Sequence, residues 1–155
     1  MPDYSFNKPL LDWCSPPGPP EENAPSRKLE VVVVFTSEDA TIAAMHRAAA
    51  LASGLNGHIS LVELQSVPRQ LPLENPLVSL DFSKRRLLKV LNTCPLESTA
   101  YLYLCRCPFD TLMSIVKSKT LIVIGRRSRW WPTWETKLSR RLVRAGYQVI
   151  VHKSR

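Results

Sequence analysis

The stretch that decides the fold runs from residue 117 to 155. Thr120-Leu121-Ile122-Val123-Ile124-Gly125 is an apolar strand, followed by Arg126-Arg127-Ser128-Arg129 and then Trp130-Trp131-Pro132-Thr133-Trp134. Residues 135–145 have helical character, and past Gly146 a second apolar strand follows, Tyr147-Gln148-Val149-Ile150-Val151-His152. Two short apolar strands joined through a helix pair in parallel, with a right-handed crossover. Ligands of such sheets sit beyond the carboxyl ends of the strands, which is where the Arg/Trp loop after Gly125 falls.

Working outward, 155 residues with 45% hydrophobic and 22% charged content make one ordinary domain with a single core. The formal charge of +8 is unevenly placed. From Lys117 onward there are eleven Lys or Arg against one acid, Glu135, so this segment alone is +10. Such a balance is compatible with a phosphate, a nucleic acid or an acidic partner, and equally with a solvated helix face. Four cysteines, Cys14, Cys94, Cys105 and Cys107, come with no secretory pattern at the N-terminus, so a reducing cytoplasm is expected. Cys105 and Cys107 form an isolated C-x-C, which without a second pair or a nearby His reads as structural. No run approaches the roughly 20 apolar residues of a membrane span.

Residues 1–28 hold seven of the thirteen prolines and read as a proline-rich, disordered arm; residues 29–155 are the domain. Within the arm, Pro9-Leu10-Leu11-Asp12-Trp13-Cys14 is either an incidental apolar patch or a peptide that docks on its own domain or on a partner. Residues 29–35, with Val31-Val32-Val33-Val34 at their centre, are a strand buried on both faces. Thr36-Ser37-Glu38-Asp39 offers capping oxygens to a helix in which Ile42, Met45, Ala49 and Ala52 recur on one side. Residues 58–64 alternate into a strand. Residues 66–80, with Pro68, Pro72 and Pro76, are an irregular loop. A helix over residues 82–91 would bury Leu87, Leu88 and Leu91. Residues 98–106 form a third strand, and Pro108 opens a short helix. The alternation predicts an α/β, three-layer α/β/α sandwich around a five-stranded parallel sheet.

The order and spacing of these elements resemble the universal stress proteins over residues 29–153. The resemblance rests on Val31-Val32-Val33-Val34-Phe35-Thr36-Ser37-Glu38 as first strand and turn, on Pro108, and on Leu121-Ile122-Val123-Ile124-Gly125 as fourth strand and first loop glycine. Ser139 falls at the family's Ser/Thr position and Tyr147-Gln148-Val149-Ile150-Val151 matches the last strand. It implies a Rossmann-like sheet of order 3-2-1-4-5, counted from residue 29, and a ligand site formed from Thr36, Ser37, Gly125, Arg126, Arg127, Ser128 and Ser139. It also implies that the last strand lies at the sheet edge, where Tyr147, Val149 and Val151 would pair with a second copy in a homodimer.

The family's ligand motif is degenerate here. The second loop glycine falls on Ser128, the third on Leu138, and the family's Asp at the end of the first strand falls on Phe35. Glycines let backbone N–H groups approach a triphosphate without a Cβ in the way, and Glu38 and Asp39 put negative charge at a helix N-terminus that would receive phosphate. Tight ATP binding of the family's kind is therefore not expected. No cofactor is assigned, ATP or AMP being the candidates the resemblance raises. In one reading, Trp130, Trp131 and Trp134 fill the crevice or form a partner surface, since each ring buries ~200 Å². In the other, Arg126, Arg127 and Arg129 beside a helix capped by Thr133 form an anion site for a nucleotide or another phosphorylated metabolite. Nucleic-acid binding through the Arg/Trp loop is a third and less favoured reading. His46, His58 and His152 suggest no catalytic set, so a non-enzymatic regulatory or protein-interaction module is expected.

Overall fold

A computed structural model describes residues 11–14, 29–73, 78–117, 119–128 and 133–154. The chain runs β1 (Leu11–Cys14), β2 (Glu30–Val34), α1 (Glu38–Ala52), β3 (His58–Ser66), α2 (Leu80–Thr93), β4 (Ser98–Cys105), α3 (Pro108–Ile115), β5 (Leu121–Arg127), α4 (Trp134–Arg144) and β6 (Gln148–Ser154). The strands form one sheet of order β1-β4-β3-β2-β5-β6. Its five parallel members, β4-β3-β2-β5-β6, have the expected 3-2-1-4-5 order when counted from residue 29.

The valine run explains the centre. Val31, Val32, Val33 and Val34 are all buried, because β2 has a strand on each side and a helix layer on each face. Alternate residues feed two cores. Val31, Val33 and Phe35 join Ile59, Leu61, Ala100, Leu102 and Val123 beneath α1 and α2. Val32 and Val34 join Val62, Tyr103, Ile122 and Ile124 beneath α3 and α4, with Leu112, Leu138 and Leu142 from those helices. The buried face of α1 is largely alanine (Ala40, Ala44, Ala48, Ala49 and Ala52), so this helix lies close against the sheet.

The helix faces differ in detail from the periodic reading. In α2 Leu87 and Leu91 are buried as expected, but Leu88 is exposed and Val90 takes its place in the core. In α4 the buried residues are Leu138, Ser139 and Leu142, whereas Trp134 at its start and Ala145 just past its end are exposed. Gly146 ends α4 at φ +93, with Gly146 N–H donating to Val143 C=O and Tyr147 N–H to Leu142 C=O. A left-handed glycine closing the last turn by these two bonds is the expected stop signal.

The feature that alternation along the chain did not predict is β1. Residues 11–14, inside the proline-rich arm, lie antiparallel on β4 with the register Leu11↔Leu102, Asp12↔Tyr101, Trp13↔Ala100 and Cys14↔Thr99. Among the described residues β6 pairs with β5 alone and forms the far edge of the sheet.

Candidate functional site

The crevice where β2 and β5 diverge is the natural place for a ligand in an open α/β sheet. Here it is bridged from within. The Thr36 hydroxyl donates to the Gly125 carbonyl at 2.7 Å, and the Thr36 N–H donates to Thr41 Oγ1 at 3.1 Å, tying the end of β2 to both β5 and the first turn of α1. Gly125 itself faces that turn. A Cβ placed on it would lie 2.0 Å from the Ala40 carbonyl oxygen and 2.5 Å from the Ala40 carbonyl carbon. The glycine is therefore required for the close approach of helix to strand. Across the rim, Arg127 Nη2 donates to Asp39 Oδ2 at 2.9 Å. Both groups are largely exposed, so the pair contributes little to stability.

Arg126, Ser139 and Ser128 are engaged by their own surroundings. Arg126 Nη1 donates to Thr136 Oγ1 at 2.9 Å, which holds the first turn of α4 against β5. The Ser139 hydroxyl is buried and donates to the Thr136 carbonyl at 2.9 Å. Ser128 is exposed, and its N–H donates to the Ser154 carbonyl at 3.2 Å, extending the β5–β6 ladder. Ser37 occupies the N-cap of α1 and its buried Oγ has no partner, while the Thr133 hydroxyl at the N-cap of α4 lies 3.5 Å from Thr136 Oγ1. The expected caps are in place by position, but neither hydroxyl bonds to a helix N–H. Arg129, Trp130 and Trp131 lie outside the described residues. Trp134 opens α4 with 45% of its surface exposed.

A second polar cluster lies beside the crevice on the α2 side, and the spacing of its residues along the chain does not announce it. Glu63, only 4% exposed at the carboxyl half of β3, accepts from Arg86 Nη2 of α2 and from Gln65 Nε2 at 3.2 Å. Gln65 Nε2 also donates to the buried Ser83 hydroxyl. The Arg86 guanidinium sits 4.7 Å over the Phe35 ring and 5.1 Å over the Phe82 ring. Burial raises the Glu63 carboxyl above its ordinary value, against the opposing effects of Gln65 and Arg86. Glu63 Oε2, Gln65 Oε1 and Arg86 Nε are buried without partners. The available signal was one acid within the apolar run 59–64 and a basic helix opposite.

Among the described residues no group of three or more His, Cys, Asp or Glu is arranged to hold a metal ion. Cys94, Cys105 and Cys107 are free thiols. Cys105 is buried beneath the α3 N-terminus, its Sγ 3.6 Å from the Gln65 carbonyl, and burial pushes its thiol up to about 11. Arg106, next in the chain, donates to the carbonyls of Val67, Pro68 and Leu71 and so pins the irregular loop after β3 over Val67, Leu73 and Leu104. Two grooves lie away from the crevice. One, of about 290 Å³, runs between α4 and β6 along Ser139, Arg140, Val143, Arg144, Val149 and Val151. The other, of about 230 Å³, opens where the short α3 leaves β2, β3 and β4 uncovered, between Ser60, Tyr101, Tyr103 and Val116.

Comparison with solved structures places the architecture. A universal stress protein from Archaeoglobus fulgidus superposes with a TM-score of 0.53 at 17% identity, over 79% of this chain and 92% of that one. A protein of the universal stress protein family from Burkholderia pseudomallei gives 0.58 at 17% identity, over 81% and 96%. A universal stress protein in complex with cAMP gives 0.55 at 14% identity, over 83% and 98%. The fold is that of the universal stress proteins. No family model and no curated protein sequence matches the chain.

Within that fold, Phe35 just past the end of β2 is buried under Arg86. Thr36, Gly125 and the first turn of α1 are in mutual contact, and Arg126 and Ser139 both meet Thr136 on α4. At the expected dimer edge, Val149 and Val151 line the α4–β6 groove, while the Tyr147 hydroxyl turns back to the Met113 carbonyl at 3.5 Å. No helix among the described residues is long and apolar enough to cross a membrane.

Proposed function

We propose that this chain is a universal-stress-protein-like regulatory or interaction module that acts by binding a protein partner and does not hold ATP tightly. The observation that carries this reading is the contact of the α1 first turn with Gly125, sealed by the Thr36 hydroxyl. A nucleotide entering there must separate a helix from the central sheet, and Asp39 at its rim opposes phosphate. His46, His58 and His152 stand on separate elements, α1, β3 and β6, which supports a non-enzymatic role. The test is titration calorimetry with ATP, AMP and cAMP. No heat of binding is expected at ligand concentrations up to the millimolar range, whereas a micromolar site would overturn the reading.

One observation favours a second reading, since a similar structure is a complex with cAMP. A small-ligand sensor would use Gly125, Arg126, Arg127, Ser128 and Ser139, and its signature is micromolar binding abolished by Arg126→Ala or Ser139→Ala.

The module is proposed to pair with a second copy through β6. Among the described residues the strand has no partner on its outer side, and its own Val151 is 38% exposed in the groove it shares with exposed Val143. A two-fold axis across this edge would continue the sheet and cover the apolar groove. Val151→Glu is expected to weaken dimerisation at least tenfold in analytical ultracentrifugation, with the melting temperature nearly unchanged. Arg140 and Arg144 rim the groove, so moderate salt should strengthen association by screening like charges. A parent chain that stays monomeric at high micromolar concentration sinks this proposal.

A further inference from the structure

We infer that the outward side of α4, with the groove it forms against β6, is the docking face for an acidic amphipathic helix of a partner protein. The inference rests on the partner-binding reading above and names the chemistry of the partner. Leu138 and Leu142 turn α4 onto the sheet, which leaves Lys137, Arg140 and Arg144 exposed on the side away from it. Arg141, also exposed, is taken up by stacking 3.8 Å over the Phe109 ring. Ion pairs among the described residues engage Arg86, Lys89 and Arg127, and none engages Lys137, Arg140, Arg144 or Lys153. Glu135, the single acid after Lys117, has its Oε2 buried and does not answer them. Like charges three and four residues apart repel along a helix. The helix dipole favours cations in the last turn, so it accounts for Arg141 and Arg144 but not for Lys137 and Arg140.

The groove beside these cations is apolar. Val143, Val149 and Val151 line it together with Arg140 and Arg144, no acid is among its lining residues, and Val143 is 56% exposed. An occupant that suits both features carries carboxylates next to aliphatic side chains. Arg140 and Arg144 are one turn apart, about 6 Å along the axis, and the same interval separates carboxylates at i and i+4 of a helix laid alongside. A nucleic acid would meet the arginines with phosphate but has nothing to bury on the valines, and no aromatic residue lines the groove to stack a base. A second copy would bring its own Arg140 and Arg144 toward these, adding like charge, whereas an acidic helix removes it. The two occupants therefore compete for one groove.

The probe is a fluorescent synthetic helix of about 18 residues, with leucines at helical spacing flanked by glutamates, titrated against the full chain. Binding is expected to weaken about tenfold in Arg140→Glu/Arg144→Glu and severalfold in Val143→Ser. Arg47→Glu/Arg85→Glu makes the same change in net charge on exposed residues of α1 and α2, which cover the other face of the sheet, and should leave affinity within about twofold. Salt separates the two occupants, because it should weaken the peptide complex while strengthening self-association. No binding to the parent, equal losses in the two double variants, or equal binding of a peptide with glutamine in place of glutamate overturns the inference. Tighter binding of a single-stranded DNA oligonucleotide than of the peptide overturns it in favour of a nucleic-acid face. Chemical-shift mapping on the unaltered chain gives a reading that needs no variant: the largest changes should fall in 137–144 and 149–153, and changes centred elsewhere overturn it as well. Failure here removes the acidic occupant alone, whereas the partner-binding reading falls if the calorimetric titration finds a micromolar nucleotide site.

Discussion

Gly125→Ala is expected to destabilise the chain by about 3 kcal/mol in urea denaturation, the upper range for forcing an extra methyl group into a packed site. The methyl carbon would lie 2.0 Å from the Ala40 carbonyl oxygen, far inside van der Waals contact. The obstruction is helix backbone, so no rotamer change relieves it. Relief requires α1 to lift away from β5, and that breaks the bonds from Thr36 to Gly125 and to Thr41. Gly54→Ala is the matched control, because a Cβ there meets nothing within 4 Å; it should fall within about 0.5 kcal/mol of the parent, as surface changes do. The pair also separates two roles for Gly125. A glycine kept for ligand approach would lose binding on substitution and keep its stability, whereas one kept for packing loses stability first. A variant as stable as the parent would contradict the closed crevice on which the proposed function rests.

Arg86→Ala carries the second large effect. Removing one partner of a buried ion pair costs about 3–5 kcal/mol because the other charge is left buried alone. Glu63 fits that description, but the Arg86 side chain is 30% exposed and water reaches part of the site. A loss of about 2–3 kcal/mol is therefore expected, including the stacking on Phe35 and Phe82. The pH dependence identifies the cause. Glu63 holds its proton in the folded chain at pH values where the unfolded chain, with an ordinary value of 4.5, has released it. Its contribution to stability is therefore fully present below 4.5 and is lost as pH rises through the higher folded value. Arg86 opposes that shift, so its removal should cost more at pH 7 than at pH 4, while Glu63→Gln should flatten the slope in both backgrounds. An Arg86→Ala penalty that is the same at both pH values would show that lost packing, and not the stranded carboxylate, is responsible. The double variant Glu63→Leu/Arg86→Leu should recover most of the loss, since an apolar pair of similar reach leaves no buried charge.

Much of the architecture was legible because it depends on local spacing. The valine run of β2, the alanine stripe of α1, Pro108 at the start of α3 and Gly146 at the end of α4 each act within a few residues, and their alternation fixes a parallel sheet. Where a pattern failed, a neighbour distant in sequence decided. Leu88 has the periodicity of a core residue, yet α2 rolls so that Val90 is buried, because the same helix must also present Ser83 and Arg86 to β3. Trp134 shares a side of α4 with Leu138 and Leu142 by spacing, yet in the first turn of the helix it is exposed. The four residues of β1 carry no strand periodicity of their own, and what makes them a strand is the open edge of β4.

The crevice divides in the same way. The amino-acid sequence by itself determined that a single glycine, Gly125, stands near the end of β5, followed by two arginines and a serine, and that an aromatic ring, Phe35, follows β2. Only the tertiary structure decided what closes the space: Thr36 reaching Gly125 across 89 residues, Arg127 reaching Asp39 across 88, and Arg86 of α2 lying over Phe35. Spacing along a chain reports which face a residue occupies in its own element. It does not report which side chain from another element arrives there, because that depends on how closely helix and sheet approach, and a missing Cβ at one position sets that distance.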